Sequence, residues 1–211
     1  MKLIFNGPKN GPLFVFSHGA GAPLTSDFME KVSTGLAEQG IRVVRFNFNY
    51  MQQRVDTGSR RPPERAPLLI KQFLDVIQTL NQPMVIGGKS MGGRMATLLA
   101  AEASADLLMQ VKGIACLGYP FHPQGKPEKL RTEHLAAIKQ SVAIIQGSRD
   151  KLGDKSEVET YSLPQYFQWH WLEDGDHDFK PRVKSGLTHQ QHIQSSINYL
   201  AIFIKDCLDE K

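Results

Sequence analysis

Only two of the 211 residues are cysteine, Cys116 and Cys207. Two thiols in a chain this long build no disulfide framework, and neither stands in a metal-ligand spacing, so a reducing compartment is expected. Long hydrophobic runs are missing as well: no stretch approaches the roughly 18 consecutive apolar residues of a membrane span. The opening Met1-Lys2-Leu3-Ile4-Phe5-Asn6-Gly7 has one short apolar run, where a secretory segment needs about 7 to 15 such residues. The expectation is a cytoplasmic protein with no membrane partner. Charge of one sign is not concentrated either. The 25 Lys and Arg against 21 Asp and Glu give a net +4 spread along the chain, which calls for no nucleic-acid partner. Hydrophobic residues at 41% and charged residues at 22% exclude a disordered, collagenous or coiled-coil chain. The length fits a single domain over residues 1–211.

What is present is an alternation. Leu13–Ser17, Ile41–Phe48, Met84–Gly87, Val111–Leu117, Ser141–Gln146 and the alternating Phe167–Leu172 segment read as strands. Between them, Asp27–Ala37, Leu69–Leu80, about Met91–Ala103 and about Thr188–Leu208 repeat apolar residues at helical spacing. Asp27 and Glu30 are expected at the N-cap and N3 positions of the first helix. The segment Asn49–Ala66, with Arg54, Arg60, Arg61, Pro62, Pro63 and Arg65, has no periodicity and is predicted to be a long loop. Strands alternating with helices predict an α/β fold, a mostly parallel central sheet with helices on both faces and no large lid domain. Such sheets carry their sites at the carboxyl ends of the strands.

Four loops after strands hold chemistry. Gly88-Lys89-Ser90-Met91-Gly92 is G-x-S-x-G between a strand and a helix, the pattern of a nucleophile elbow, where a sharp turn needs small residues two positions either side of the Ser. A phosphate-binding loop ending in Gly88-Lys89-Ser90 needs glycine at position 83, which is Pro83. His18-Gly19-Ala20-Gly21-Ala22-Pro23 follows an early strand, and a small-residue loop there suits an oxyanion hole, with Ala20 and Met91 as the expected N–H donors. His18 precedes the nucleophile and is expected to brace this loop. A serine nucleophile needs a base and an acid that orients it, in the chain order Ser, acid, His for this topology. Asp150 follows Ser141–Gln146 and is preferred to Asp154, which lies further from the strand end. Of the seven histidines, His177 alone fits both order and position, in a flexible loop after the last strand.

These motifs resemble the α/β-hydrolase superfamily over essentially the whole chain. More narrowly, HGAGAP, Phe46-Asn47-Phe48, GKSMGGR, Gly118-Tyr119-Pro120-Phe121-His122-Pro123, RTEHL, QGSRD and GDHDF resemble the small lid-less dienelactone-hydrolase-like branch and its KANL/Tex-type group. The resemblance implies Ser90, Asp150 and His177 as a triad, and Ala20 and Met91 as oxyanion donors. Dienelactone hydrolases proper carry a Cys nucleophile, where this chain has Ser90, which argues against dienelactone as substrate.

The expected function is hydrolysis of small carboxylic esters or thioesters through an acyl-serine, needing no metal and no organic cofactor. His18, Gly19, Tyr50, Met51, Tyr119 and His122 are expected around the substrate. Two basic segments, Arg54, Arg60, Arg61 and Arg65, then Lys126, Lys129 and Arg131, raise an acyl-CoA-type thioesterase for an anionic substrate as one alternative. A non-catalytic interaction module docking through the Arg/Pro loop is the other. The sequence leaves monomer and dimer open.

Overall fold

The computed structural model of the chain describes residues 2–102 and 104–209. In order, its elements are β1 (Leu3–Asn6), β2 (Leu13–Ser17), α1 (Asp27–Glu38), β3 (Arg42–Phe46), α2 (Asn49–Thr57), α3 (Ala66–Leu80), β4 (Met84–Lys89), α4 (Met91–Glu102), α5 (Ala105–Gln110), β5 (Val111–Leu117), β6 (Ser141–Gly147), α6 (Lys155–Val158), β7 (Gln168–Leu172) and α7 (His189–Leu208). The strands form one sheet in the order β1-β3-β2-β4-β5-β6-β7. Only β1 runs antiparallel, pairing Leu3 with Phe46 of β3. The expected mostly parallel sheet is therefore what the chain builds.

Alternation along each strand explains the two-sided core. In β2, Leu13 and Val15 belong to an apolar cluster shared with α3 and α4. Phe14 and Phe16 belong to a second cluster, shared with α1 and α7 on the opposite face. Both faces are thus covered, as a parallel sheet requires. The α7 start is fixed by a capping box, in which the Thr188 side chain accepts from Gln191 N–H and the Gln191 side chain accepts from Thr188 N–H. Among the described residues no helix is long and apolar enough to cross a membrane. On β7, the chain's two tryptophans, Trp169 and Trp171, stack with ring centroids 5.2 Å apart and planes 6° from parallel.

Two local expectations need correction. Residues 49–57 form the helix α2 instead of a loop. Its buried anchors are only Tyr50 and Met51, and a mostly polar nine-residue helix shows no repeat in sequence. The N-cap of α1 is Ser26, with Asp27 already inside the helix; Glu30 turns away to a buried arginine. The four-residue β1 was too short to alternate visibly. Ala103, expected in the helix after Ser90, lies outside the described residues.

The order of the sheet decides where a site can form. From β2 the chain moves outward to β3, then returns across β2 to β4. The helix after β2 packs on one face and the helix after β4 on the other, so their first turns part and leave a crevice at the carboxyl ends of the strands. Arg45 of β3 secures one side. Its side chain is 2% exposed; Nη1 donates to Leu24 O at 2.6 Å and Glu30 Oε1 at 2.7 Å, and Nη2 to Asn6 Oδ1 at 2.9 Å. One guanidinium thereby ties β1, α1 and the loop after β2 together. Arg45→Leu keeps the bulk but strands these acceptors, and is expected to cost about 3 kcal/mol in urea unfolding. Glu30→Gln, at a half-exposed partner, is expected to cost less than about 1 kcal/mol.

Candidate active site

The turn after β4 is built on a left-handed residue. Ser90 has φ 51°, a left-handed conformation that a non-glycine residue adopts at a cost of about 1–3 kcal/mol. Its N–H donates to Leu117 O at 2.9 Å and its carbonyl accepts from Arg94 N–H at 3.1 Å, so the residue is held from both sides. The glycines around it are set by contact. A Cβ on Gly88 would stand 2.3 Å from Ser17 Oγ, and one on Gly92 2.6 Å from Ser17 O. Strand β2 passes that close to the turn because Ser17 is in register with Gly88.

Three side chains from three strand ends form one hydrogen-bonded chain. Ser90 Oγ lies 2.9 Å from His177 Nε2, and His177 Nδ1 lies 2.7 Å from Asp150 Oδ2. Asp150 is fully buried and takes further bonds from Gln146 Nε2 at 3.0 Å and Leu152 N–H at 2.9 Å. With Nδ1–H donated to the carboxylate, the Nε2 lone pair faces the Ser90 hydroxyl. Asp154 stands apart as the N-cap of α6, accepting from Glu157 N–H.

The loop carrying His177 is tied down, in contrast to the flexible loop expected. Asp176 Oδ1 accepts from the N–H groups of Asp178 and Lys180, each at 2.9 Å. Asp174 pairs with Arg149 and Arg182, which hold its carboxyl well below the usual carboxylate range. Phe179 is fully buried beneath the loop.

Two residues that sequence reasoning overlooked complete the support. Gln146, buried at the end of β6, bonds both the N–H and the C=O of Tyr119 as well as Asp150. Lys89, between Gly88 and Ser90, is 7% exposed. Its Nζ donates to His177 O at 2.6 Å, with Asp178 at 3.7 Å and the rings of Phe28 and Phe179 at 5.5 and 5.6 Å. Burial lowers its pKa, against the pull of Asp178 and Asp150. A lysine inside an elbow flanked by apolar residues was the available signal.

The loop after β2 packs against the turn. A Cβ added to Gly19 would stand 3.7 Å from Ser90 Cβ, and Ala20 borders the clefts on both sides of Ser90. Among the described residues, neither the Ala20 nor the Met91 N–H donates to another protein atom, and Met91 opens α4. One cleft, of about 530 Å³, runs past Lys89, Ser90 and His177 toward Phe28 and Lys180. The other, of about 410 Å³, runs past Ser90 and Met91 toward Pro63, Arg94 and Arg131.

The other expected pocket residues divide. Gly19 lines the first cleft. His18, Tyr50, Met51, Tyr119 and His122 line neither, because their side chains are taken up in the layer beneath. Tyr50 donates to Ala20 O at 3.0 Å, Met51 is in the core, Tyr119 donates to Arg131 O at 2.8 Å, and His122 contacts Glu157 at 3.1 Å. Of the basic segments, only Arg131 reaches a cleft beside Ser90; Arg54 donates to Gly21 O. No group of three His, Cys, Asp or Glu among the described residues is placed to hold a metal ion.

His18 is fully buried and braces the loop: Nδ1 donates to Gly19 O at 2.7 Å and Nε2 accepts from Phe48 N–H at 3.1 Å. Burial pushes its pKa down to about 4. Between the unfolded value near 6.5 and about 4, the unfolded chain binds a proton that the folded chain refuses, so stability falls as pH falls through that window. By pH 5 the loss from this one group is about 2 kcal/mol. Urea unfolding from pH 7.5 to pH 5 is expected to show it. His18→Asn is expected to start less stable at pH 7.5 and to lose less over the same range.

Comparison with known proteins agrees with this architecture. The alpha/beta hydrolase domain family matches residues 10–205. Est1E from Butyrivibrio proteoclasticus with ferulic acid bound superposes with a TM-score of 0.71 at 14% identity, over 99% of this chain and 96% of that one. The esterase domain of a Rhodothermus marinus protein gives 0.64 at 15%, over 96% and 91%. The thioesterase domain from the curacin biosynthetic pathway gives 0.61 at 17%, over 97% and 94%. At these identities the likeness is one of fold.

Proposed function

Because the chain belongs to the alpha/beta hydrolase family, we propose that it is a serine hydrolase of small carboxylic esters or thioesters, working through an acyl intermediate on Ser90. The observation that carries this reading is the unbroken series of hydrogen bonds from Ser90 Oγ through His177 to buried Asp150. On the motifs that it shares with them, we place the chain in the dienelactone-hydrolase-like, KANL/Tex-type branch, as a single domain acting in the cytoplasm. The esterase and thioesterase names of two structural neighbours support the same bond class.

In this mechanism Ser90 Oγ attacks the acyl carbon while His177 Nε2 takes the hydroxyl proton, and Asp150 holds the ring in the required tautomer. The carbonyl oxygen becomes an oxyanion facing the N–H groups of Met91 and Ala20, where losing one donor costs about 3–4 kcal/mol in the transition state. Collapse breaks the C–O or C–S bond, and the imidazolium returns its proton to the leaving group. Water then repeats the sequence on the acyl-enzyme, releasing the acid and restoring the Ser90 hydroxyl. The leaving group must lie within reach of His177 Nε2, and we assign it to the cleft that runs past Lys89, Ser90 and His177. The acyl chain then occupies the opposite cleft.

Intact mass after treatment with a fluorophosphonate tests the reading. One adduct is expected on the native protein and none on Ser90→Ala, whose ester turnover falls by about 10⁴-fold or more. No adduct on a demonstrably folded native protein would overturn the hydrolase reading and turn attention to the exposed Arg60–Arg61 loop as an interaction surface.

A further inference from the structure

Arg94 and Arg131 both face the cleft that receives the acyl chain. Arg94 lies in α4, one turn beyond Ser90. Arg131 lies between β5 and β6, its backbone fixed by bonds to Phe121 O at 2.7 Å and from the Tyr119 hydroxyl at 2.8 Å. Neither guanidinium has an acidic partner within 4.0 Å among the described residues. At Arg94 the Nε is out of contact with solvent and has no hydrogen-bond partner.

The remaining titratable groups around the two arginines do not neutralise them. Glu64 is the single carboxylate on the cleft wall; one of its oxygens accepts from Gln72 Nε2 at 3.4 Å and the other is buried without a partner. The Tyr119 hydroxyl is engaged with a carbonyl. His134 is neutral at physiological pH, its pKa pushed down to about 4 by burial and by the charge of Arg94. Burial and the same charge also lower Arg131. Two guanidinium groups against one carboxylate leave one positive charge in excess. A guanidinium does not shed its proton to relieve this.

We propose that Arg94 and Arg131 hold a carboxylate at the far end of the acyl group, so that the preferred substrates are half-esters or half-thioesters of short dicarboxylic acids. The proposal rests on the hydrolase reading above, which sets the acyl chain in this cleft. A planar carboxylate matches the fork of donors on a guanidinium. Its single negative charge also equals the excess, where a phosphate dianion would overshoot it.

The test compares p-nitrophenyl hemiadipate with p-nitrophenyl hexanoate, esters of equal chain length that differ only in the charged end. The expected result is a kcat/KM about 10- to 100-fold higher for the hemiadipate, carried mainly by KM. In Arg131→Gln that ratio falls toward one, and in Arg131→Lys, which keeps a cation, part of it returns. Equal kcat/KM for the two esters, or a ratio unchanged in Arg131→Gln, would overturn the carboxylate site while leaving the hydrolase reading intact. No turnover of the hemiadipate by a protein whose Ser90 still takes the fluorophosphonate would do the same. If the phosphonate adduct is also absent, the hydrolase reading falls and the carboxylate site falls with it.

Discussion

Ser90 holds a left-handed backbone at φ 51° where β4 gives way to α4, and the geometry around it follows from keeping that turn in place. The conformation persists because neighbours over-determine it. Strand β5 accepts the Ser90 N–H through Leu117 O, the first turn of α4 binds its carbonyl, and β2 runs close enough to exclude any Cβ at Gly88 or Gly92. A strained turn of this kind needs a stiff frame. The central strands provide it, with β2, β4, β5 and β6 buried along nearly their whole lengths.

The supporting electrostatics are arranged in depth. Asp150 is buried beside His177, and its carboxyl oxygens accept hydrogen bonds from Gln146 and Leu152. His18, at comparable depth but without an acidic partner, is kept neutral instead and serves as a donor and an acceptor at once. Two imidazoles near the same serine thus take different parts because one meets a carboxylate and the other meets backbone groups. Lys89 spans the two regions, since it sits within the elbow and binds the carbonyl of His177.

Much of this was legible in the sequence because it depends on short-range rules. G-x-S-x-G after an apolar run marks a turn that only small residues permit, and order along the chain selected Asp150 and His177 from many acids and six other histidines. The α/β alternation was legible for the same reason: buried parallel strands are short apolar runs and the longer helices are amphipathic. What escaped depends on partners distant in sequence. Whether the Tyr119 side chain faces a substrate or the carbonyl of Arg131 is decided by how the chain after β5 folds back, which no local pattern records. The helix α2 escaped because two buried residues, Tyr50 and Met51, are too few to display a period. Arg94 and Arg131 lie 37 positions apart and enter the same cleft only through the fold.

The stacked pair on β7 has an optical consequence. Trp169 and Trp171 are the only tryptophans in the chain, and both lie on the strand that leads into the His177 loop. Two indoles 5.2 Å apart and nearly parallel couple their transitions, and the tryptophan emission comes from one place in the molecule. The intrinsic fluorescence of this protein therefore reports on the edge of the sheet beside the imidazole, and an opening of that edge would be seen in it before the centre of the sheet had moved.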